Sequence, residues 1–165
     1  MGGCRSVRRL EGVVPAGNLL IRCAGPADAS DVQALYRQLV DNPAVSVSPE
    51  RIRQVAEDPG TALLVGEIDG TVGATALVSL CQDVMFDARP FAVVENLVVD
   101  ARWRGQGVGA SLFRHIEGFC VDRDCSKIML LSSIGRVDAH RFFERRGFRG
   151  GAKRGFVKYR REFSG

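Results

Sequence analysis

The run Val93-Val94-Glu95-Asn96-Leu97-Val98-Val99 leads through Asp100-Ala101-Arg102-Trp103 into Arg104-Gly105-Gln106-Gly107-Val108-Gly109-Ala110. A β-branched apolar run reads as a strand. Beyond the glycines, Leu112, Phe113, Ile116, Phe119 and Cys120 recur at helical spacing. The strand, the glycines and the amphipathic helix together read as one β–α unit. Glycines at such a corner let the backbone turn its N–H groups outward. The start of the helix adds unpaired donors and the positive end of its dipole. Together they make a socket for a phosphate or pyrophosphate.

Other glycine-rich sockets fit this stretch less well. A P-loop needs Gly-x-x-x-x-Gly-Lys followed by Ser or Thr, and the Lys is missing. Gly105, Gly107 and Ala110 satisfy Gly-x-Gly-x-x-Ala, but a dinucleotide fold also needs an acidic residue ending the next strand. The next strand, residues 127–131, ends in Ser132-Ser133, and the chain beyond it is too short for a doubly wound sheet. A purely structural turn does not need glycines at alternate positions beside Arg102 and Arg104.

The rest of the chain reads coarsely. Residues 1–17 lack periodicity and read as a flexible leader, leaving 18–165 as a single domain. Strands are expected at 19–23, Thr61–Ile68, Thr71–Cys81, Phe91–Val99, 127–131 and 155–163, with helices at 28–40, 48–56 and 137–146 besides the one after Gly109. Ser48-Pro49-Glu50 is a helix start, and Asp69-Gly70 is a hairpin turn.

Three blocks carry a family resemblance. Arg104-Gly105-Gln106-Gly107-Val108-Gly109 resembles the Gln/Arg-x-x-Gly-x-Gly/Ala signature of the GCN5-related N-acetyltransferase (GNAT) superfamily. Glu95-Asn96-Leu97-Val98-Val99-Asp100 resembles that family's central splayed strand. Asp138-Ala139-His140-Arg141-Phe142-Phe143-Glu144-Arg145-Arg146-Gly147-Phe148 resembles its closing helix and the Gly-Phe that follows. The resemblance implies an α/β fold with a central twisted mixed sheet of roughly six to seven strands flanked by about four helices.

It also implies acetyl-CoA as co-substrate, with no metal. Arg104, Gly105, Gln106, Gly107, Val108, Gly109 and Ala110 would wrap its pyrophosphate, and a backbone N–H at Val98 would face the thioester carbonyl. The pantetheine arm would lie along Leu97 and Val99 like an added strand, and Phe142 completes the expected cofactor-binding set. An incoming amine must also lose a proton, and Glu95 is the candidate general base. Glu95 alternates with Leu97 and Val99 and so shares one face of the strand with them, and partial burial there raises a carboxyl pKa. A structural carboxylate satisfied by arginine or backbone donors is the alternative. Many family members place a tyrosine where this chain has Phe143, which cannot donate a proton; Tyr36, Ser132, Ser133 and Tyr159 are the remaining candidates.

The expected acceptor is a primary amine of a small molecule. The segment around Glu95 resembles glucosamine-6-phosphate N-acetyltransferases, and residues 131–142 resemble aminoalkylphosphonate N-acetyltransferases. A protein lysine or N-terminal amine stays open, as does a catalytically weak module that binds acetyl-CoA as a sensor. A homodimer through the aromatic end around Phe148, Phe156 and Phe163 is an expectation by analogy.

Composition narrows the partners. Charged residues make up 25% and are well mixed, which reads as a globular chain. The net charge of +4 is modest, and no groove-reading module accompanies the basic residues, so no nucleic-acid partner is expected. No apolar run approaches the roughly 18 residues of a membrane span, so a cytoplasmic protein without membrane contact is expected. Five cysteines form no Cys-x-x-Cys pair and read as reduced, mostly buried side chains.

Overall fold

The computed structural model describes residues 9–15, 17–85 and 87–164. It divides after Leu130 into two compact units. The first holds a six-stranded sheet whose order follows the sequence. Its strands are Leu10–Val14 (β1), Gly17–Cys23 (β2), Thr61–Ile68 (β3), Thr71–Cys81 (β4), Phe91–Val99 (β5) and Ile128–Leu130 (β6). Helices Ala29–Leu39 (α1) and Pro49–Glu57 (α2) connect β2 to β3, and Val108–Val121 (α3) connects β5 to β6. Pairing is antiparallel from β1 to β5 and parallel between β5 and β6, because the α3 crossover returns the chain in the same direction.

Local chemistry accounts for the boundaries. The Ser48 hydroxyl accepts the Arg51 N–H at 3.1 Å, with Pro49 opening the helix behind it. Asp69 and Gly70 both take positive φ, 45° and 82°, as a tight hairpin between β3 and β4 requires. Two apolar cores then form on opposite faces of the sheet. On one, Leu64, Ala76, Val78, Ala92 and Val94 pack with Val108, Leu112, Ile116 and Phe119 of α3. On the other, Leu63, Val65, Val72 and Val98 pack with Val32 and Leu35 of α1 and Ile52 of α2.

Several expectations need correction. Residues 1–8 of the expected leader lie outside the described residues, but Leu10–Val14 is a strand. It forms because it finds a partner, Leu10 through Val14 pairing with Ile21 through Gly17. Residues 155–163 do not form a strand. There the Tyr159 N–H donates to the Glu162 carboxylate at 2.9 Å and the Glu162 N–H donates to the Tyr159 carbonyl at 2.8 Å, closing a local turn instead. Cys81, Cys120 and Cys125 are free thiols, and burial pushes the Cys120 thiol up to about 12. Cys23 is disulfide-bonded, so the reading of all five as reduced fails there. Among the described residues no helix is long and apolar enough to cross a membrane.

The second unit carries helix Val137–Arg145 (α4), closed by Gly147 at φ 87°. Within it Phe143 packs edge to face with Phe142 at 5.6 Å and with Phe148 at 6.0 Å between ring centroids.

Leu112 is fully buried where α3 meets the sheet. Leu112→Ala is expected to cost about 3 kcal/mol of unfolding free energy, read as a lower denaturation midpoint with an unchanged slope.

Candidate functional site

β5 does not keep one alternation along its length. Val94 pairs with Val78 and Glu95 with Leu77, yet Val98 pairs with Thr75. Between Glu95 and Val98 the strand therefore carries one residue more than β4 opposite, a β-bulge. Asn96 absorbs it at φ 53°, in the left-handed region that Asn tolerates far better than a β-branched residue. Because side chains alternate with a period of two, one inserted residue exchanges the faces. Ala92, Val94, Leu97 and Val99 all pack into the α3 core, whereas Val98 is buried in the α1–α2 core.

This corrects the expected setting of Glu95. It does not share a face with Leu97 and Val99 but stands on the α1–α2 side, and it is exposed rather than enclosed by Val93, Val94 and Leu97. Tyr36 of α1 is half-buried, and burial pushes its hydroxyl pKa up, with the Asn96 side chain acting in the opposite direction. Of the four proton-donor candidates, Tyr36 alone belongs to the first unit. The bulge had a readable signal, since Asn is depleted in strands and enriched at left-handed positions.

Next to the bulge, β5 and β6 part. Their pairing covers only Ala92 with Ile128, Val93 with Met129 and Val94 with Leu130. Among the described strands, residues 95–99 then pair with β4 alone, leaving an open edge of backbone donors and acceptors beside Leu97, Val98 and Val99.

The strand end feeds the glycine turn. Gly105 and Gly107 sit at φ 75° and 85°, where any side chain brings strain. The Arg104 Nε donates to the Val99 carbonyl at 2.9 Å, and the Gln106 Nε2 donates to the Arg102 carbonyl at 2.8 Å. The Gln106 side chain therefore braces the turn, and Val108 anchors it in the α3 core. The first ladder bond of α3 runs from the Ser111 N–H to the Gly107 carbonyl at 3.0 Å. The N–H groups of Val108, Gly109 and Ala110 precede that ladder and add to the positive end of the helix dipole. A pyrophosphate fits this arrangement chemically.

Sequence reasoning missed how the turn is held. Asp100, 6% exposed, accepts the Arg102 N–H at 2.9 Å and the Arg102 Nε at 3.0 Å. Arg102 holds the Asp100 carboxyl well below the usual carboxylate range. The Asp100 N–H donates to the Gly73 carbonyl at 2.8 Å, and a Cβ on Gly73 would overlap the Trp103 ring. An Asp followed directly by a short turn is a capping signal that could have singled out this residue.

Phe142, expected at the cofactor, belongs to the C-terminal unit, as does His140, whose Nε2 engages the Ser133 carbonyl at 3.0 Å. A cavity of about 550 Å³ lies between β1 and α3, lined by residues including Leu19, His115 and Phe119. It shares no lining residue with the glycine turn or with residues 95–99.

Comparison with known proteins converges on one family. The profile of the Acetyltransferase (GNAT) family matches residues 32–148. The aminoglycoside N(6')-acetyltransferase type 1 of Stenotrophomonas maltophilia is 29% identical over 133 residues, covering 78% of this chain and 84% of that enzyme. The glucosamine 6-phosphate N-acetyltransferase of Arabidopsis thaliana is 26% identical over 85 residues, 52% of this chain and 57% of that enzyme. A solved Agrobacterium tumefaciens str. C58 structure superposes with a TM-score of 0.75 at 28% identity, covering 84% of this chain and 99% of the other.

The Asp100 carboxyl gives the site a pH signature. With its folded pKa below the unfolded one, its stabilisation is present above the ordinary carboxyl range and is lost as pH falls through the folded value. Asp100→Asn should therefore be less stable than wild type at neutral pH, with the gap closing in strong acid, as measured by denaturant melts across pH.

Proposed function

This chain belongs to the acetyltransferase (GNAT) family and is an acyltransferase, and we propose that it moves an acetyl group from acetyl-CoA to a primary amine of a small molecule. The observation that carries this reading is the parting of β5 from β6 directly before the glycine turn. An open strand edge can take an extended amide-bearing arm as an added strand, and the N–H groups beyond it suit a pyrophosphate. Bound acetyl-CoA supplies the acetyl group on a thioester, which an amine can attack.

Each residue then has a defined task. Val108, Gly109 and Ala110 donate backbone N–H groups to the pyrophosphate, with Gly105 and Gly107 making the turn possible and Arg104 and Gln106 bracing it. Leu97 and Val99 would flank the arm; the Val98 N–H, expected at the thioester carbonyl, lies on the same side of the strand as the Asp100 N–H that donates to Gly73, and so faces β4. Glu95 takes the proton from the incoming ammonium, directly or through a water. Its exposed position on the α1–α2 side leaves it reachable by an acceptor arriving from solvent. The relatives named for aminoglycoside and glucosamine 6-phosphate acetylation support a small-molecule amine as acceptor.

Free-thiol release from acetyl-CoA against aminoglycosides, glucosamine 6-phosphate, aminoalkylphosphonates, polyamines and lysine peptides tests the reaction. Turnover of a small amine is expected; turnover confined to lysine peptides would replace the acceptor class, and tight cofactor binding with no turnover would favour a sensor. Glu95→Gln is expected to lower kcat by about 100-fold while leaving coenzyme A affinity within about twofold. An unchanged kcat in that variant removes Glu95 from the proton transfer.

A further inference from the structure

Gln38 lies in the last turn of α1, outside the strand and the turn assigned above to acetyl-CoA. Its side chain nevertheless reaches the start of that turn. The Gln38 Nε2 donates to the Asp100 Oδ2 at 3.0 Å, and its Oε1 accepts the Ala101 N–H at 3.3 Å. Asp100 in turn accepts from Arg102 on both carboxylate oxygens, through Nε on Oδ1 and Nη2 on Oδ2, each at 3.0 Å. The Arg102 carbonyl takes the Gln106 amide, and Gln106 stands between Gly105 and Gly107. A continuous chain of hydrogen bonds thus runs from α1 into the glycine turn.

We propose that Gln38 is a positioning residue for the cofactor turn, holding it to α1 through Asp100. The inference rests on the reading of the turn as the pyrophosphate site. Arg102 is only two residues from Asp100, so their pair travels with the segment and cannot fix it in space. The Gly73 carbonyl fixes the Asp100 backbone from β4. Gln38 fixes the Asp100 side chain and the next N–H from a separate element, and one amide makes both bonds. The same helix packs through Val32 and Leu35 in the core that buries Val98. α1 therefore holds the end of β5 at Val98 and at Asp100, and the N–H groups that would meet a pyrophosphate inherit their direction from it.

The test compares coenzyme A binding by titration calorimetry, together with steady-state kinetics, in wild type, Gln38→Leu and Gln38→Glu. Gln38→Leu should raise the coenzyme A Kd and the acetyl-CoA KM about tenfold with kcat within about twofold. In Gln38→Glu the added carboxylate faces Asp100, and like charge raises its pKa. Its Kd relative to wild type should be largest near pH 8. The ratio should fall toward one near pH 5, as the added carboxyl takes a proton and donates to Asp100. A role in folding alone would leave the ratio near one wherever circular dichroism shows both proteins fully folded. If the leucine variant fails to fold, the pH course of the glutamate variant decides. Wild type binding coenzyme A with both variants within about twofold of it at every pH would overturn this inference alone. Wild type failing to bind coenzyme A would overturn the reading of the turn, and this inference with it.

Discussion

The residue inserted at Asn96 sets the geometry on which the rest of the site depends. A strand with strict alternation would place Glu95, Leu97 and Val99 on one face, and either the carboxylate would be buried or two apolar side chains would be exposed. The bulge removes that conflict: Leu97 and Val99 turn to the α3 core, Val98 to the α1–α2 core, and Glu95 to solvent. The energetics favour it. A left-handed residue costs roughly 1–2 kcal/mol, less for Asn, while each buried Leu or Val side chain contributes about 1.5–3 kcal/mol. Several side chains gain burial for one strained backbone position.

The bulge and the parting of β5 from β6 occupy the same stretch, and the glycine turn follows within a few residues. A strand that has lost its neighbour and changed faces would move unless held from elsewhere. The structure holds it at several points. Val98 is packed between α1 and the sheet, the Val99 carbonyl takes Arg104, and Asp100 is bound to Gly73, Arg102 and Gln38. These bonds leave the N–H groups at the start of α3 ahead of its ladder, which is the chemical requirement of an anion site. Rigidity around an open edge is what lets backbone groups, rather than side chains, carry specificity.

Much of this was legible in the sequence. The β-branched run predicts β5, the helical spacing beyond Gly109 predicts α3, Ser48-Pro49-Glu50 predicts the start of α2, and Asp69-Gly70 predicts the hairpin; each stands in the structure. Local steric and capping rules decide such features, so a short window of sequence contains the cause. Leu10–Val14 escaped because an edge strand is defined by its partner β2 and not by its own composition. Residues 155–163 misled for the converse reason, since strand-like composition without a pairing partner gave way to the local Tyr159–Glu162 turn.

The sequence by itself determined the α/β order, the glycine turn with its positive-φ positions, and the residue types available for chemistry, because these follow from sterics and periodicity within a few residues. Only the tertiary structure decided the face on which Glu95 stands and the partners that hold the turn. The bulge depends on the register of β5 against β4, and the hold on Asp100 depends on Gln38, which lies 62 residues away in sequence and meets it only when α1 packs on the sheet. Register and long-range packing are properties of the assembled sheet, which no window of the chain contains.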